Sequence, residues 1–315
     1  MTTSARNRSP LLRLLFAAEA VRAAIWPQRM RPATGWAFLL PAVLLVAILV
    51  AGMAYMVDAS FHELDRSTFR LTEEYSLTNY ETVLERPFYS TIIIRTVLAA
   101  VIVTAITLVL AFPYAYAMVR TKRAATRKLL LIGLFLPFFI GQVVRAYGWL
   151  IVLGQEGLLN STLTWMGLGT VKLIYTYPGV LIGLVQYMLP FAVLMLAPAV
   201  TAVPEEVELA SDSLGAGWFA TLWHVLLPMT KPGLVAAGVV VFTLTITDYA
   251  MPEIMGGGTS DFIASAIYDG YFSTDEQGLS SALAVLLVLG ATTVVGVVFA
   301  LVGVGTLGYS ARRLR

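Results

Sequence analysis

Long apolar segments alternate with short polar ones along the 315-residue chain. A helix of about 20 apolar residues crosses the roughly 30 Å hydrocarbon core of a bilayer, and six segments reach that length. Their ranges are 36–57, 93–119, 129–153, 177–201, 233–252 and 281–309. Backbone polar groups inside a bilayer must be satisfied internally, and the sequence lacks the alternating pattern of barrel strands. The pattern therefore predicts an all-α, polytopic membrane protein with six transmembrane helices.

Composition agrees with a membrane location, since 58% of the residues are hydrophobic and only 13% are charged. The sequence has no cysteine, which excludes disulfides and thiolate metal sites. Its two histidines, His62 and His224, are too few and too far apart in sequence for a metal cluster. We therefore expect this chain to bind no metal and no cofactor of its own, and we expect no nucleic-acid partner.

Lysine and arginine are distributed unequally between the two sides of the predicted six-helix topology. Fifteen of the 21 lie on one side, in the N-terminal segment, the 120–128 loop, the segment after the fourth helix and the C-terminal tail. An excess of positive charge marks the cytoplasmic side. We therefore expect a multi-pass protein of the bacterial inner membrane with both termini in the cytoplasm. The basic 120–128 run would also attract anionic membrane lipid.

The predicted helices divide the chain into an N-terminal cytoplasmic segment, a transmembrane domain and a short cytoplasmic tail. Their ranges are 1–35, 36–309 and 310–315. Within the first segment, residues 5–26 predict an interfacial amphipathic helix. A secretory signal is the alternative, but Arg13 and Glu19 interrupt the apolar core that such a signal needs. Residues 58–90 are expected to form an extracytoplasmic cap on the mouth of the helix bundle.

The polar segment 202–232, between the fourth and fifth predicted helices, has the most informative pattern. Negative residues occupy the first turns of a short predicted helix, where they complement the helix dipole. They are Glu205, Glu206 and Glu208. Gly215 and Gly217 then interrupt the helix, and apolar residues from Trp218 recur at helical spacing as far as Pro228. We therefore expect a hairpin of two short helices, which is either an ordinary connection on the membrane surface or a docking surface for another protein.

The order of residues in this loop resembles the EAA loop of permease subunits of binding-protein-dependent ABC importers. The matching residues are Glu208-Leu209-Ala210-Ser211-Asp212-Ser213-Leu214-Gly215-Ala216, followed by Leu226-Leu227-Pro228. Where the family commonly has Glu-Ala-Ala, this chain has Leu209-Ala210-Ser211, with its acid at Glu208. Other segments are similar to the spermidine/putrescine-type branch of the family. They include Phe135-Leu136-Pro137-Phe138-Phe139 and Asp248-Tyr249-Ala250-Met251-Pro252-Glu253.

The resemblance implies the type I ABC importer permease fold and a subunit that is not itself an enzyme. The sequence contains no G-x-x-x-x-G-K-[ST] phosphate loop. ATP and magnesium would therefore bind to a separate cytoplasmic ATPase dimer, whose movement the loop passes to helices that alternate between outward and inward access. The other implied partners are a second, distinct permease subunit and an extracytoplasmic substrate-binding protein. The implied substrate is a small organic cation of the polyamine type.

The resemblance also assigns roles within the loop. The residues expected to couple to the ATPase are Glu205, Glu208, Ala210, Ser211, Gly215 and Pro228. Glu208 would offer an ionic contact to a basic group on the ATPase. Ala210 and Ser211 would permit close approach of the partner, and Gly215 would set the bend.

Two ionisable residues lie inside predicted helices, where a charge is costly and is usually functional or paired. At 1.5 Å per residue, Arg145 lies roughly 26 Å along the third helix and Asp248 roughly 22 Å along the fifth, so both are expected at a similar depth. In one interpretation Asp248 contacts a cationic amine between aromatic walls. The candidate wall residues are Tyr147, Trp149, Tyr187 and Tyr249. In the other, Arg145 and Asp248 form a structural ion pair, and the aromatic residues serve packing and the interfacial belt.

A self-contained channel or ion-coupled secondary carrier is the alternative function. A carrier would show several buried carboxylates or interrupted, repeat-related helices. The sequence shows neither pattern, which favours a permease driven by a partner ATPase.

Overall fold

The computed structural model describes residues 31–68 and 70–302, with side chains from residue 38 to residue 301. The predicted interfacial helix within 5–26, the tail 310–315 and the last residues of the sixth predicted helix lie outside the described residues. The chain forms two compact units, one ending at Met56 and the other beginning at Val57.

Most of the described chain is helical, which confirms the predicted fold class. The helices are α1 (Arg31–Ala59), α2 (Thr78–Glu85), α3 (Pro87–Arg120), α4 (Ala124–Phe135), α5 (Gln142–Leu153), α6 (Leu158–Trp165), α7 (Tyr177–Thr201), α8 (Glu205–Ser213), α9 (Trp218–Thr221), α10 (Leu227–Ile246), α11 (Ala250–Gly256), α12 (Ile263–Phe272) and α13 (Gln277–Val302). The strands are β1 (His62–Asp65) and β2 (Arg70–Tyr75). A 3-10 helix covers Leu136–Phe139, and a π-helical turn covers Leu222–Leu226.

Among the described residues, five helical runs are long and apolar enough to cross a membrane, and a bent pair of segments supplies a sixth crossing if it counts as one. The pair consists of Ala124–Phe139 and Gln142–Trp165, which meet at 106°. Pro137 cannot donate a backbone hydrogen bond, and Gly141 has the extended angles φ −56° and ψ 148°, so a continuous helix is interrupted here. The third predicted helix, 129–153, is therefore a broken element and not a straight span.

The second helix of the predicted 202–232 hairpin is the beginning of the fifth span. Helical structure continues from Trp218 to Ile246 through the π-helical turn. That turn directly precedes Pro228, which lacks a backbone N–H, and the local hydrogen bonds take the wider π pattern. The predicted range 233–252 is therefore wrong at both ends, because the helix starts within the loop and stops before Asp248.

The centre of the second unit is formed by α3, α7 and α10, whose contact surfaces are rich in small residues. A Cβ atom placed on Gly233 of α10 would lie 2.2 Å from the Cβ of Ala199 of α7, so these two helices meet with almost no side chain between them. Small residues allow such close approach of helix backbones in a membrane, where packing drives association. Fully buried alanines on these three helices include Ala99, Ala111, Ala115, Ala192 and Ala237. This tight contact fixes the helix ends that flank the 202–232 loop.

The helix α1 has exposed, largely apolar side chains from Phe38 to Tyr55. An apolar surface on all sides is typical of a membrane-spanning helix.

The cap contains the β1–β2 hairpin followed by α2. The side-chain amide of Asn79 donates to the carbonyls of Ser60 at 3.1 Å and His62 at 2.9 Å. The guanidinium of Arg66 lies 3.3 Å from the carboxylate of Glu276, just before α13 begins. These contacts hold the cap against the start of α13. We call this the cap end of the bundle and the opposite one, at the 202–232 loop, the loop end.

Candidate functional site

The first part of the 202–232 loop is α8, which carries acidic residues in its first turn. The helix ends at Ser213, and Gly215, two residues later, has a φ of +83° in the left-handed region. The Gly215 N–H donates to the Asp212 carbonyl at 2.9 Å, and the Ala216 N–H donates to the Ser211 carbonyl at 3.2 Å. These bonds satisfy carbonyls at the helix end and turn the chain into α9. Glycine is the residue best suited to that backbone conformation.

The carboxylate of Glu208 is engaged within the chain. Its Oε1 atom accepts a hydrogen bond from Arg120 Nε at 2.7 Å, and its Oε2 atom accepts one from the Tyr116 hydroxyl at 2.7 Å. Only 17% of the Glu208 side chain and 14% of the Arg120 side chain are exposed. The basic partner of Glu208 is therefore Arg120 of the same chain, whereas the sequence suggested a basic group on another protein. The pairing was missed because α3 and α8 lie far apart in sequence.

Ser211 also faces its own chain. Its hydroxyl lies 2.9 Å from the Thr221 hydroxyl, and both side chains are buried, so this bond ties α8 to α9. Ala210, the other small residue expected to permit close approach, is exposed. Glu205 is exposed at the start of α8, and Pro228 lies in the first turn of α10, within the 202–232 loop.

Large apolar side chains cover the outer surface of the loop, whereas the sequence pattern indicated an apolar face only on its second helix, from Trp218 onward. Leu209 is 64% exposed, Leu214 88%, Phe219 70% and Trp223 65%. We call these four residues the exposed loop face. Leucines on an otherwise acidic helix are a signal that could have found half of this face. Exposed apolar surface of this kind, at a turn held rigid by hydrogen bonds, is suited to binding a protein or a membrane surface.

Arg145 closes the break in the bent span. Its guanidinium donates to the carbonyls of Pro137 and of Ile140, the latter at 2.9 Å. Its Cζ atom lies 5.1 Å from the centre of the Tyr187 ring, a cation–π contact. The carbonyls freed where the helix stops at the bend are therefore satisfied by an arginine that follows the bend.

Asp248 has a different set of partners. Its Oδ2 atom accepts from Gln142 Nε2 at 2.6 Å, and its Oδ1 atom accepts from the Met251 N–H at 2.9 Å, which caps the start of α11. The residue is only 8% exposed. The alternative ion pair with Arg145 is absent among the described residues, and the amine contact of Asp248 stays a prediction. Both expectations rested on straight helices, whereas α5 follows a bend and α10 ends before Asp248.

The four candidate aromatic residues do not line one site. Tyr187 packs under Arg145, and the Trp149 indole N–H donates to Gln186 at 3.2 Å. Tyr147 is 57% exposed. Tyr249 stacks on Tyr268, with 4.5 Å between the ring centres. Tyr249 lies beside carboxylates that form no ion pair among the described residues.

Those carboxylates belong to Glu253, Asp261 and Asp269, on and between α11 and α12 at the cap end. Burial raises the pKa of the Glu253 carboxyl, and the negative charges of Asp269 and Asp261 raise it further, against a lowering contact with Ser265. Burial and Asp269 also raise the pKa of Asp261, whereas the Arg95 guanidinium opposes that shift. We call these three acids with Tyr249 and Tyr268 the acidic–aromatic cluster. The sequence showed the acids but not their convergence.

A cavity of about 520 Å³ lies between α3, α10 and α13. It is lined almost entirely by apolar side chains, and the exception is Thr104. Such a lining favours an apolar occupant over a charged one.

The family described as "Binding-protein-dependent transport system inner membrane component" matches residues 107–307. That range is more than half of the chain and contains the whole 202–232 loop.

Curated relatives extend the similarity beyond that range. The spermidine/putrescine transport system permease protein PotB of Escherichia coli (strain K12) is 27% identical over 259 residues, which cover 81% of this chain and 90% of PotB. PotB of Haemophilus influenzae is 29% identical over 67% of this chain and 73% of its own length. The inner membrane ABC transporter permease protein YdcU of Escherichia coli (strain K12) is 30% identical over 66% of this chain and 70% of YdcU.

A solved structure has the same fold. It is a chain of a bacterial alginate ABC transporter in complex with an alginate pentasaccharide-bound periplasmic protein. The two chains superpose with a TM-score of 0.74 at 16% identity, over 89% of this chain and 98% of the other.

Proposed function

Because this chain belongs to the binding-protein-dependent transport system inner membrane components, it is a permease subunit of an ABC importer, and we propose that its cargo is a cationic amine of the spermidine/putrescine class. The observation that carries the proposal is the pair of PotB relatives, whose similarity covers most of the chain. A self-contained channel or carrier is not favoured, because the family is a component of a larger transport system. The protein is a multi-pass protein of the inner membrane.

We infer that the exposed loop face docks into a cytoplasmic ATPase dimer, which binds ATP and magnesium and supplies the energy. Leu214 and Phe219 are the most exposed of its four apolar side chains. Burying one such side chain contributes about 1.5–3 kcal/mol. Docking through this face would place the loop and both termini in the cytoplasm, in agreement with the distribution of lysine and arginine.

The complete transporter is proposed to contain a second, distinct permease subunit and an external substrate-binding protein. One copy of this chain presents one 202–232 loop, whereas the working ATPase is a pair. The resemblance of the sequence to the spermidine/putrescine-type branch is what favours a distinct second subunit.

For the substrate path, the acidic–aromatic cluster replaces Asp248 and Arg145 as the best-placed group. Its carboxylates would compensate the positive charges of an amine, and Tyr249 and Tyr268 offer ring faces for cation–π contact. Asp248 is less well placed for that role because it is buried and already accepts hydrogen bonds from Gln142 and the Met251 N–H.

Copurification tests the docking surface. Leu214→Asp places a charge in the middle of the exposed loop face, and we expect it to remove most of the ATPase that copurifies with the permease. Leu84→Asp is the matched control, because Leu84 is 72% exposed on α2 at the cap end. Equal ATPase recovery with both variants would contradict docking through the loop.

Uptake tests the cargo. Labelled putrescine should enter reconstituted vesicles that contain the complete transporter, and unlabelled spermidine should compete with it, whereas an uncharged diol of the same length should not. Glu253→Gln should raise the KM for putrescine, and Glu85→Gln, an exposed acid on α2, should not. Competition by the diol equal to that by spermidine would refute a cationic cargo and leave the family assignment intact.

A further inference from the structure

Arg120 joins three elements at the loop end of the bundle. It is the last residue of α3, and its Nη2 atom lies 2.6 Å from Glu208 Oε1 on α8. The same nitrogen donates to the Val203 carbonyl at 2.7 Å, just after α7 ends. Tyr116, one turn earlier on α3, holds the second oxygen of Glu208. We call the side chains of Tyr116, Arg120 and Glu208 the α3–α8 clamp.

The clamp is an enclosed and fully paired ionic contact. The planar guanidinium of Arg120 donates from two nitrogens to one carboxylate oxygen of Glu208. It also donates a hydrogen bond to the backbone carbonyl of Val203. Hydrogen bonds to charged groups are about twice as strong as neutral ones, and enclosure reduces screening by water and salt. Removing one partner leaves the other charge largely enclosed without its counterion, which is strongly destabilising for that contact. The clamp therefore resists separation of α8 from α3.

The clamp attaches α8 to α3, which is the longest helix of the described chain. α3 spans 34 residues from Pro87 to Arg120, and it packs along α7 and α10 in the buried core. A force applied to α8 at the loop would therefore be transmitted directly to α3, in addition to the covalent connections into α7 and α10.

We propose that Tyr116 and Arg120 are positioning residues that make α8 move as one body with α3, so that Glu208 transmits ATPase movement through its own chain and not by an ionic contact with the ATPase. The inference rests on the proposed docking of the 202–232 loop to an ATPase. It adds a second mechanical connection, to α3, that the loop sequence alone does not contain.

The first test is a double-mutant cycle on the complete transporter. Glu208→Gln and Arg120→Gln should each lower the number of substrate molecules imported per ATP hydrolysed by roughly tenfold. The double variant should lose no more than either single variant, because both substitutions break one contact. Copurification of the ATPase should stay unchanged in all three. Loss of ATPase binding in Glu208→Gln alone, with additive effects in the double variant, would show that Glu208 contacts the ATPase and would overturn the proposal.

Matched controls separate the clamp from a general effect of charge. Arg123→Gln and Glu206→Gln remove exposed charges close to each partner, and both should leave the import ratio unchanged. Arg120→Lys keeps the charge but has no planar fork, so we expect it to fall between Arg120→Gln and the natural protein. A Lys variant as impaired as the Gln variant with an equally low melting temperature would indicate a purely structural role.

A distance measurement tests the proposal without relying on activity. The natural chain has no cysteine, so spin labels can be placed at the exposed positions Ala117→Cys on α3 and Ser213→Cys on α8. With the clamp intact, the distance between the labels should be the same in the nucleotide-free and ATP-bound complexes, and Arg120→Gln should broaden its distribution. A shift between nucleotide states in the intact protein would refute movement of α8 and α3 as one body. Failure of the ATPase to bind at all would instead refute the proposed docking.

Discussion

Replacing Gly215 by aspartate should abolish transport and leave the subunit inserted in the membrane. Gly215 has φ +83°, and a non-glycine residue in the left-handed region costs about 1–2 kcal/mol. A Cβ atom placed there would meet no other atom within 4 Å, so the cost is backbone strain and not a clash. An aspartate also adds a negative charge at the C-terminal end of α8, at a further cost of about 0.3–1 kcal/mol.

These magnitudes decide where the variant fails. A cost of about 1–3 kcal/mol is small beside the roughly 5–15 kcal/mol that typically stabilises a folded protein, so insertion and folding should survive. Within the loop, however, about 1.4 kcal/mol changes a conformational equilibrium tenfold, so the turn that presents the exposed loop face should be largely lost.

A substitution series separates strain from charge. Asparagine tolerates the left-handed region better than alanine, so uptake should fall in the order Gly, Asn, Ala, Asp. The assay is uptake of labelled putrescine, normalised to the amount of permease in the membrane. Normal uptake by Gly215→Asp would refute the role of the loop in transport. An alanine variant more active than the asparagine variant would refute backbone strain as the cause.

Two further predictions concern the core and the bent span. Gly233→Ala should destabilise the protein by about 1–3 kcal/mol, because its methyl group would overlap Ala199. Gly238→Ala should have little effect, because the nearest neighbour of its methyl group would be 3.5 Å away. Equal melting temperatures of the two variants in detergent would contradict this prediction. Asp248→Asn keeps an oxygen that can cap α11, so substrate affinity should be unchanged while the melting temperature falls slightly. A large rise in the KM for the substrate would show that Asp248 contacts the substrate.

Much of the fold could be predicted from local pattern. The apolar runs required membrane helices whatever their neighbours, and the acids of α8 with Gly215 marked a short capped helix. The resemblance of this loop to a known family identified the type of transporter, which the family match confirms. Helix boundaries were less accurate, because the break at Pro137 and Gly141 and the continuation of α9 into α10 depend on how the surrounding helices satisfy the backbone.

The candidate site residues were harder to place. Arg145 and Asp248 were paired on the assumption of equal depth in straight helices, but the bend at 106° separates their roles. Arg145 completes the hydrogen bonds of the bend, and Asp248 caps the helix after it. Similarly, the convergence of Glu253, Asp261 and Asp269 arises only in the folded chain, where Tyr249 stacks on Tyr268.

The sequence by itself determined that this chain is a helical membrane protein with an acidic loop of the importer type, because hydrophobic length, helix capping and glycine conformation are local properties. Only the tertiary structure decided which groups of the chain pair with the charged residues of that loop. Glu208 is 88 residues from Arg120 along the chain, yet the two charges lie within hydrogen-bond distance, because α3 and α7 pack side by side and bring the end of one helix to the start of α8. Which charges neutralise each other is a property of packing, and no periodicity in the sequence contains it.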